Sequence, residues 1–242
     1  MNSIEIKDLT RKFKTRTAVD SLNLEIGEGE MFALLGQNGA GKSTTINMLS
    51  CILIPTDGDA FIYGHSIKND YEKVKEIING SPQETDVAPK LTVKENLELI
   101  ARIYGCDKEE AEKRANEMMT QFKLADRAND KAKSLSGGMQ RRLSIAMALI
   151  SDPKVLFLDE PTLGLDVRAR KNLWEAIAEL KGKITIILTT HYLEEAENLA
   201  DRIGIMNNGK LKALGTVDEI LKITNKTKFE DAFLSLTDTE VE

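Results

Sequence analysis

The string from Gly36 to Thr44 contains residues suited to binding phosphate groups. It fits the pattern G-x-x-x-x-G-K-[ST], in which glycines let successive backbone N–H groups turn inward around phosphates. We expect Lys42 to reach the β- and γ-phosphates of ATP and Ser43 to bind Mg²⁺. The residues predicted to form this cradle are Gly36, Gln37, Asn38, Gly39, Ala40, Gly41, Lys42, Ser43, Thr44 and Thr45.

Two acids and a histidine follow two other apolar runs that are predicted to be strands. Val155 to Leu158 leads into Asp159 and Glu160, and His191 follows a run that ends at Thr190. In a P-loop ATPase the first acid holds Mg²⁺ and the second can deprotonate the attacking water. The alternative for Glu160 is that it only accepts hydrogen bonds from nearby backbone donors. His191 is placed to contact the γ-phosphate.

A second candidate anion site is the string Leu135-Ser136-Gly137-Gly138-Met139-Gln140-Arg141-Arg142. Ser136 and the two glycines open a predicted helix, and helix N-termini attract anions. One triphosphate is already surrounded by the cradle at Gly36 to Thr44. The second helix terminus therefore needs a different ligand or the ATP of another chain.

The elements that position these residues follow an α/β pattern, because short apolar runs alternate with helical periodicity. A strand at Met31 to Leu35 precedes the cradle, and a helix begins near Lys42. The run from Ile184 to Thr190 is another buried strand. We also expect a hairpin, Ile203 to Met206 and Lys210 to Leu214, with its turn at residues 207–209, and β-rich segments up to about Val19 and at Asp59 to Tyr63.

The middle of the chain, from about Leu91 to Ile150, has helical periodicity instead. Thr92 and Glu95 form a capping-box pattern that opens a helix. The apolar residues of that helix are expected to face the core; they are Leu97, Ile100, Ala101 and Tyr104. We interpret this region as a helical insertion within the α/β domain.

Composition limits the possible partners. The formal net charge is −6, so no strongly basic surface for nucleic acid is indicated. The basic stretch Arg11, Lys12, Lys14 and Arg16 is interpreted as a solvated strand end or turn. No apolar run reaches the 18 or so residues of a membrane span, so a membrane role requires a partner chain.

With these strings in hand, the sequence resembles the nucleotide-binding subunits of ATP-binding cassette (ABC) transporters. Leu135 to Gln140 is similar to the family's signature motif, and Gly36 to Thr44 to its Walker A motif. Asp159 and Glu160 are similar to Walker B and the catalytic glutamate. The resemblance further implies a Q-loop glutamine at Gln83, a D-loop at Gly164-Leu165-Asp166, a switch histidine at His191, and an adenine-stacking aromatic at Phe13.

From the resemblance, the catalytic residues are expected to be Glu160, His191, Gln83 and Lys42. Ser43, Gln83 and Asp159 are expected to hold Mg²⁺. Beyond the cradle, the resemblance implies ATP contacts from Phe13, Val19, Ser136, Gly137, Gly138 and Asp166. It also implies an ABC ATPase fold, with an N-terminal antiparallel β subdomain and an α-helical subdomain inserted in a P-loop core. The expected boundaries are 1–220 for the nucleotide-binding domain, about 84–150 for the insertion, and 221–242 for a short C-terminal extension, frayed from Thr237.

The implied function is ATP hydrolysis at a head-to-tail interface, in a homodimer or a heterodimer with another ABC ATPase subunit. A separate integral membrane subunit would complete the transporter, with this chain on the cytoplasmic face of the membrane. Residues 164–170, 190–197 and 229–237 resemble the drug and lipid exporter branch. Leu163 departs from that branch, where a smaller or polar residue is more usual before the D-loop.

Three alternatives belong to other classes. An importer ATPase often carries a C-terminal regulatory β-domain, and this chain is expected to end too early for one. A soluble cassette ATPase acting on ribosomes usually has two cassettes, and one acting on chromosomes has a long coiled coil, whereas Lys42 and Ser136 are only 94 positions apart. A non-enzymatic nucleotide-binding scaffold would lack Glu160 or His191.

Overall fold

The computed structural model describes residues 2–238. The chain alternates between strands and helices over most of this range, as the apolar runs predict. The strands are β1 (Asn2–Phe13), β2 (Arg16–Gly27), β3 (Met31–Gly36), β4 (Asp57–Ile62), β5 (His65–Ser66), β6 (Ile78–Ser81), β7 (Val155–Asp159), β8 (Thr185–Thr190), β9 (Arg202–Asn207) and β10 (Lys210–Gly215).

The helices fall between and after these strands. Short 3₁₀ turns occur at Ala125–Arg127 and Ala132–Ser134. Within residues 2–238, no helix is both long and apolar enough to cross a bilayer. The α-helices are α1 (Lys42–Leu49), α2 (Tyr71–Ile77), α3 (Val93–Ile103), α4 (Lys108–Gln121), α5 (Gly137–Leu149), α6 (Val167–Ala178), α7 (Leu193–Leu199), α8 (Val217–Thr224) and α9 (Phe229–Thr237).

A six-stranded sheet in the order β10-β9-β3-β8-β7-β6 forms the centre of the molecule. Its strands pair in parallel from β9 to β6, and β10 is antiparallel to β9. Every residue of β3 and β8 is buried, as expected for strands covered on both faces. The predicted hairpin is confirmed, and its turn residues Asn208 and Gly209 have φ of 49° and 78°, which suit a tight turn.

A four-stranded antiparallel sheet in the order β2-β1-β4-β5 accounts for most of the N-terminal region. The predicted β-rich segment is confirmed, but the strands continue beyond Val19 to Gly27. Leu22, Leu24 and Ile26 are buried and alternate with exposed residues, which is the two-residue period of a half-buried strand.

The helical region from α3 to α5 is attached to the parallel sheet through one hydrophobic core. Leu97, Met119 and Leu143 belong to the same buried cluster as Leu156 and Leu188. The capping box of α3 is present, with Thr92 accepting from the Glu95 backbone and Glu95 from the Thr92 backbone. The expectation that Tyr104 faces the core is wrong, because Tyr104 is the C-cap of α3 and 51% exposed.

The C-terminal segment packs on the β9–β10 hairpin rather than extending from it. Phe229 and Phe233 of α9 are buried. Thr237, expected to be frayed, is buried, and its carbonyl accepts a 2.9 Å hydrogen bond from Asn207 Nδ2. Residues 239–242 of the predicted extension lie outside the described residues.

Candidate functional site

The carboxyl ends of three neighbouring strands meet at one edge of the parallel sheet. In the register, Leu35 of β3 is opposite Thr190 of β8, and Asp159 of β7 is opposite Thr189 of β8. The segments that follow these strands carry the cradle, Glu160 and His191. Ligands of open parallel sheets bind at this edge, so the topology assembles one candidate site from three distant parts of the sequence.

The cradle is a tight loop between β3 and α1. Gly39 and Gly41 have φ of 82° and 109°, a region that side chains disfavour. Gly41 also has no room for a Cβ atom, which would overlap the carbonyl oxygen of Ala18. Gly41 is the N-cap residue of α1, so the N-terminus of that helix opens into the loop.

Lys42 is buried but close to three oxygen atoms. Its side chain is 5% exposed. Nζ donates hydrogen bonds to the carbonyl oxygens of Gly36 at 2.8 Å and Gln37 at 3.2 Å, and it lies 3.4 Å from Glu160 Oε1. A cation held in this way at the mouth of a phosphate-sized loop suits binding of a triphosphate.

Ser43 and Asp159 form a pair that fits a magnesium ion. Ser43 Oγ lies 3.1 Å from Asp159 Oδ1, and the Thr189 hydroxyl also donates to that carboxylate oxygen. Neighbouring ligands of an octahedral Mg²⁺, each about 2.1 Å from the ion, lie about 3.0 Å apart. The spacing of the two oxygens is therefore compatible with one Mg²⁺ held by both residues.

Glu160 is a buried carboxylate between two partners. It is 6% exposed, with Oε1 facing Lys42 and Oε2 2.5 Å from His191 Nδ1. Its backbone has a φ of 49°, unusual for a residue with a side chain. The Glu160 N–H donates to the Thr189 carbonyl at 3.1 Å. This strand-end geometry directs the carboxylate toward the cradle.

A cavity of about 300 Å³ is lined by Lys42, Ser43, Glu160 and His191, whereas Asp159 is not among its lining residues. Gln83 lies on its wall, and Phe13, 46% exposed, lies there with the Arg11 guanidinium over its ring at 4.8 Å. Of the predicted residues, those that line the cavity are Phe13, Asn38, Gly39, Gly41, Lys42, Ser43, Thr44, Gln83, Glu160 and His191. Gly36, Gln37, Ala40 and Thr45 belong to the loop and helix but are not among the lining residues.

Val19, also in the predicted set, lies outside the lining of this cavity. It is fully buried in the core beside the antiparallel sheet and does not line the cavity, whereas its neighbour Ala18 does. Arg16 and Leu163 also line the cavity, and neither was predicted to do so. The Arg16 guanidinium donates to the Gly39 carbonyl, so Arg16 is not merely solvated. No sequence signal distinguishes Arg16 from the basic residues around it.

Ser136 lies in a separate groove of about 200 Å³, which we call the signature groove. It is lined by Ser136, Gly138, Met139, Arg142, Asp166, Arg168, Ala169 and Asn172. Ser136 is the N-cap of α5 and Asp166 the N-cap of α6, so two helix N-termini meet there. Gly137 is exposed next to this groove but does not line it. Within one chain, the structure does not bring these residues into the Lys42 cavity.

Comparison with known proteins agrees with this geometry. A profile described as ABC transporter matches residues 19–163. The human phospholipid-transporting ATPase ABCA3 is 41% identical over 88% of this chain, but this chain spans only 13% of its length. The linearmycin resistance ATP-binding protein LnrL of Bacillus subtilis is 39% identical over 90% of this chain and 70% of its own length.

A solved structure supports the same assignment. The post-hydrolysis dimer of the ATP-binding cassette MJ0796 with ADP and Pi superposes with a TM-score of 0.79 and 29% identity, over 88% of this chain and 98% of that one. The shared fold is the α/β cassette with its antiparallel sheet and helical region. Both the cavity at the ends of β3, β7 and β8 and these matches lead to one assignment: the chain belongs to the ABC transporter family and has the fold of its ATP-binding cassettes.

Proposed function

We propose that two copies of this domain, or one copy and a related ATPase subunit, bind MgATP head to tail and power export through a separate membrane subunit. The observation that carries the proposal is the division of the site into two parts. The Lys42 cavity and the signature groove are separate in one chain. A head-to-tail partner would supply to each cavity a second helix N-terminus, that of its α5.

The cradle residues bind the triphosphate in this proposal. The backbone N–H groups from Gly39 to Thr44 and the Lys42 ammonium surround the β- and γ-phosphates. Ser43, Asp159 and Gln83 would hold Mg²⁺, which when bound neutralises charge on the phosphate oxygens. Phe13, beside Arg11 at the cavity wall, offers a face on which adenine stacks.

Hydrolysis depends on Glu160 and His191. Glu160 accepts a proton from the attacking water, which makes the oxygen a better nucleophile toward the γ-phosphorus. His191 Nδ1 contacts Glu160 Oε2 and fixes the direction of that carboxylate. Low exposure of Glu160 strengthens both interactions, because little water competes for its oxygens.

Ser136, Gly137 and Gly138 act on the ATP of the partner. The N-terminus of α5 presents backbone N–H groups and a positive helix end, which suit a γ-phosphate. Asp166, at the start of α6, lies at the same groove and faces the partner across the interface in this proposal. The dimeric state of the MJ0796 cassette supports this mode of association.

Export is favoured over import by the relatives. The names of ABCA3 and LnrL refer to phospholipid transport and to linearmycin resistance. We propose that the transporter containing this chain exports a lipid-like or drug-like substrate. The alternatives are an importer ATPase and a soluble cassette ATPase.

The membrane subunit would dock beside Gln83, with this chain on the cytoplasmic face of the membrane. A groove of about 450 Å³ there is lined by residues that include Pro82, Asp86 and Tyr104. Ile52, at its rim, is 75% exposed. An amphipathic helix that enters such a groove is held by a few apolar anchors. Val87 and Leu91, partly buried and within eight positions of Gln83 in the sequence, are further candidate anchors.

A mixed dimer tests the proposed two-chain site. Lys42→Ala removes the phosphate cation, and Ser136→Arg introduces a clash opposite the ATP of the partner, so each homodimer should be nearly inactive. A dimer of one Lys42→Ala chain and one Ser136→Arg chain keeps one site with both halves intact. We expect ATPase activity to return to up to half of the wild-type rate. Confirmed mixed dimers without any recovery would show that the site is complete within one chain.

A further inference from the structure

Arg141, on the second turn of α5, is a buried cation surrounded by main-chain oxygens. It is 3% exposed. Its guanidinium donates to the carbonyl of Pro161 at 2.8 Å from Nε and to that of Glu160 at 2.8 Å from Nη2. It also donates to the Pro82 carbonyl and, at 3.4 Å, to that of Asp159. Within residues 2–238, no carboxylate oxygen lies within ion-pair distance of it.

The segments that Arg141 joins are the ones that form the ATP cavity. Pro82 follows β6 and precedes Gln83, whereas Asp159 ends β7 and Glu160 and Pro161 follow it. Arg141 itself lies five residues after Ser136 in the sequence, on the helix that Ser136 caps. One planar fork thus connects the helix of the signature groove with both loops of the cavity.

The charge environment explains why a guanidinium suits this position. Burial lowers the pKa of Arg141, and the nearby negative charges of Asp159, Glu195 and Glu160 oppose that fall. A guanidinium has five donors in a fixed plane, enough for several carbonyls at once. A lysine ammonium has three donors and no fork, so it cannot reproduce the same set of contacts.

The backbone of Glu160 is the part most in need of support. Its φ of 49° is a left-handed conformation, which is unfavourable for a residue with a side chain. Two of the hydrogen bonds from Arg141 go to the carbonyls of Glu160 and Pro161, on the C-terminal side of that residue. They oppose relaxation of this loop, which would move the carboxylate away from Lys42 and His191.

We propose that Arg141 is a positioning residue that holds the Glu160 loop and the Gln83 loop in register with the signature helix, and thereby sets the place of the Glu160 carboxylate. The inference rests on the proposed role of Glu160 as the base. It assigns Arg141 no contact with ATP. Its effect belongs to the chemical step and not to nucleotide binding.

Arg141→Lys tests this assignment against Arg114→Lys as a matched control. Arg114 also donates to a backbone carbonyl, that of Ile150 at 3.1 Å, but it lies on α4 away from the cavity. We expect Arg141→Lys to lower kcat at least tenfold, since a displacement of about 1 Å can cost 10²-fold, with KM for ATP changed less than about threefold. Arg114→Lys should change neither. If kcat were unchanged, or if KM rose as much as kcat fell, the inference would be overturned.

A double-mutant cycle separates positioning of Glu160 from general damage. In the Glu160→Gln background, Arg141→Lys should leave the residual single-turnover rate unchanged, because the carboxylate it positions is gone. If Arg141→Lys lowered the rate by the same factor in the wild-type and Glu160→Gln backgrounds, action through Glu160 would be refuted. Wild-type turnover by Glu160→Gln itself would instead refute the proposed base. The melting temperature of each variant shows whether it folds. If Arg141→Lys does not fold, Arg141→Gln, which keeps an amide donor, takes its place. The same changes in kcat and KM are expected for Arg141→Gln.

Discussion

Glu160 has two cationic or polar neighbours in a cavity that ATP is proposed to enter. Its oxygens face Lys42 Nζ at 3.4 Å and His191 Nδ1 at 2.5 Å. A buried carboxylate without such partners would be strongly unfavourable. The γ-phosphate of ATP is another anion that Lys42 can bind. At the scale of single residues, Glu160 and the γ-phosphate therefore compete for Lys42. Glu160 must nevertheless stay close enough to the attacking water to accept its proton.

Glu160→Gln should separate binding from hydrolysis. The amide keeps the shape but cannot accept the proton, so turnover should fall about 10²–10⁴-fold. ATP affinity should rise, because the negative charge that repels the γ-phosphate and occupies Lys42 is removed. Fluorescent ATP titration and phosphate release measure the two effects.

The control for this change is Glu30→Gln, an ion-paired carboxylate 3.2 Å from Arg202 that does not line the cavity. It should leave kcat close to wild type. If Glu160→Gln turned over ATP like this control, a different group would be the base.

At the scale of elements, the turn of the β9–β10 hairpin supports the cradle from behind. The Gly209 N–H donates to the Ala40 carbonyl at 2.9 Å, and the Gly209 carbonyl accepts from Asp20 N–H at 2.9 Å. The turn thus connects β2 to the phosphate loop. Gly209 has a φ of 78°, and a Cβ there would lie 2.9 Å from the Ala18 carbonyl oxygen.

Gly209→Ala should therefore weaken ATP binding, and Gly64→Ala should not. Gly64, in the turn between β4 and β5, has a similar φ of 80° but open space around it. Both changes introduce the same left-handed strain, about 1–2 kcal/mol of unfolding free energy. Only Gly209→Ala displaces the hydrogen bond to the cradle, which corresponds to a loss in ATP affinity of roughly 2–12-fold. Equal ATP affinities in the two variants would exclude support by the hairpin.

At the scale of the whole molecule, β3 divides two hydrophobic cores. Met31, Ala33 and Leu35 face the core shared with the helical region, and Phe32 and Leu34 face the core shared with the antiparallel sheet. The alternation of a single strand thus couples both halves of the domain. Glu195 is a buried acid within this assembly: it is 0% exposed, and Trp174 Nε1 donates to its Oε1 at 3.1 Å.

The stability of the whole domain should depend on the charge of Glu195. Burial raises the pKa of the Glu195 carboxyl. The folded state therefore holds this proton to a higher pH than the unfolded state does, and the contribution of Glu195 to stability falls as pH rises from the unfolded to the folded pKa. Glu195→Gln removes this dependence and keeps an acceptor for Trp174.

Urea unfolding of both proteins from pH 5 to pH 8 measures the effect. The free energy of unfolding of Glu195→Gln should rise relative to that of the wild type as pH rises. The difference should reach about 1 kcal/mol or more at pH 8, since a poorly satisfied buried acceptor costs about 1–3 kcal/mol. Glu197→Gln, on the exposed side of α7, is the surface control and should show a smaller gain. A difference that is constant with pH would contradict a buried titrating carboxyl.

Local patterns determined much of this fold in advance. The strand before the cradle, the start of α1 at Lys42 and the capping box at Thr92 depend on neighbouring residues alone, and the structure confirms them. Tyr104 was placed wrongly because helical spacing does not reveal that α3 ends at Ile103 and leaves this ring near the surface.

Side chains whose partners are distant were not predictable in the same way. Val19 and Ala18 differ by one position, and on a strand one position reverses the face, so Ala18 lines the cavity and Val19 does not. The fork of Arg141 binds backbone carbonyls, which every residue has. No residue type in the sequence marks those acceptors.

Because the Lys42 cavity and the signature groove are separate in one chain, the proposed activity should depend on protein concentration. In the proposed dimer, each complete ATP site needs the Lys42 cavity of one chain and the signature groove of the other. The number of complete sites therefore depends on the concentration of chains that can associate. Activity per milligram should then decline on dilution below the dissociation constant. A membrane partner that holds two such chains side by side would raise their effective concentration to the millimolar range. Free chains in the cell would leave the ATP pool almost untouched until they are recruited.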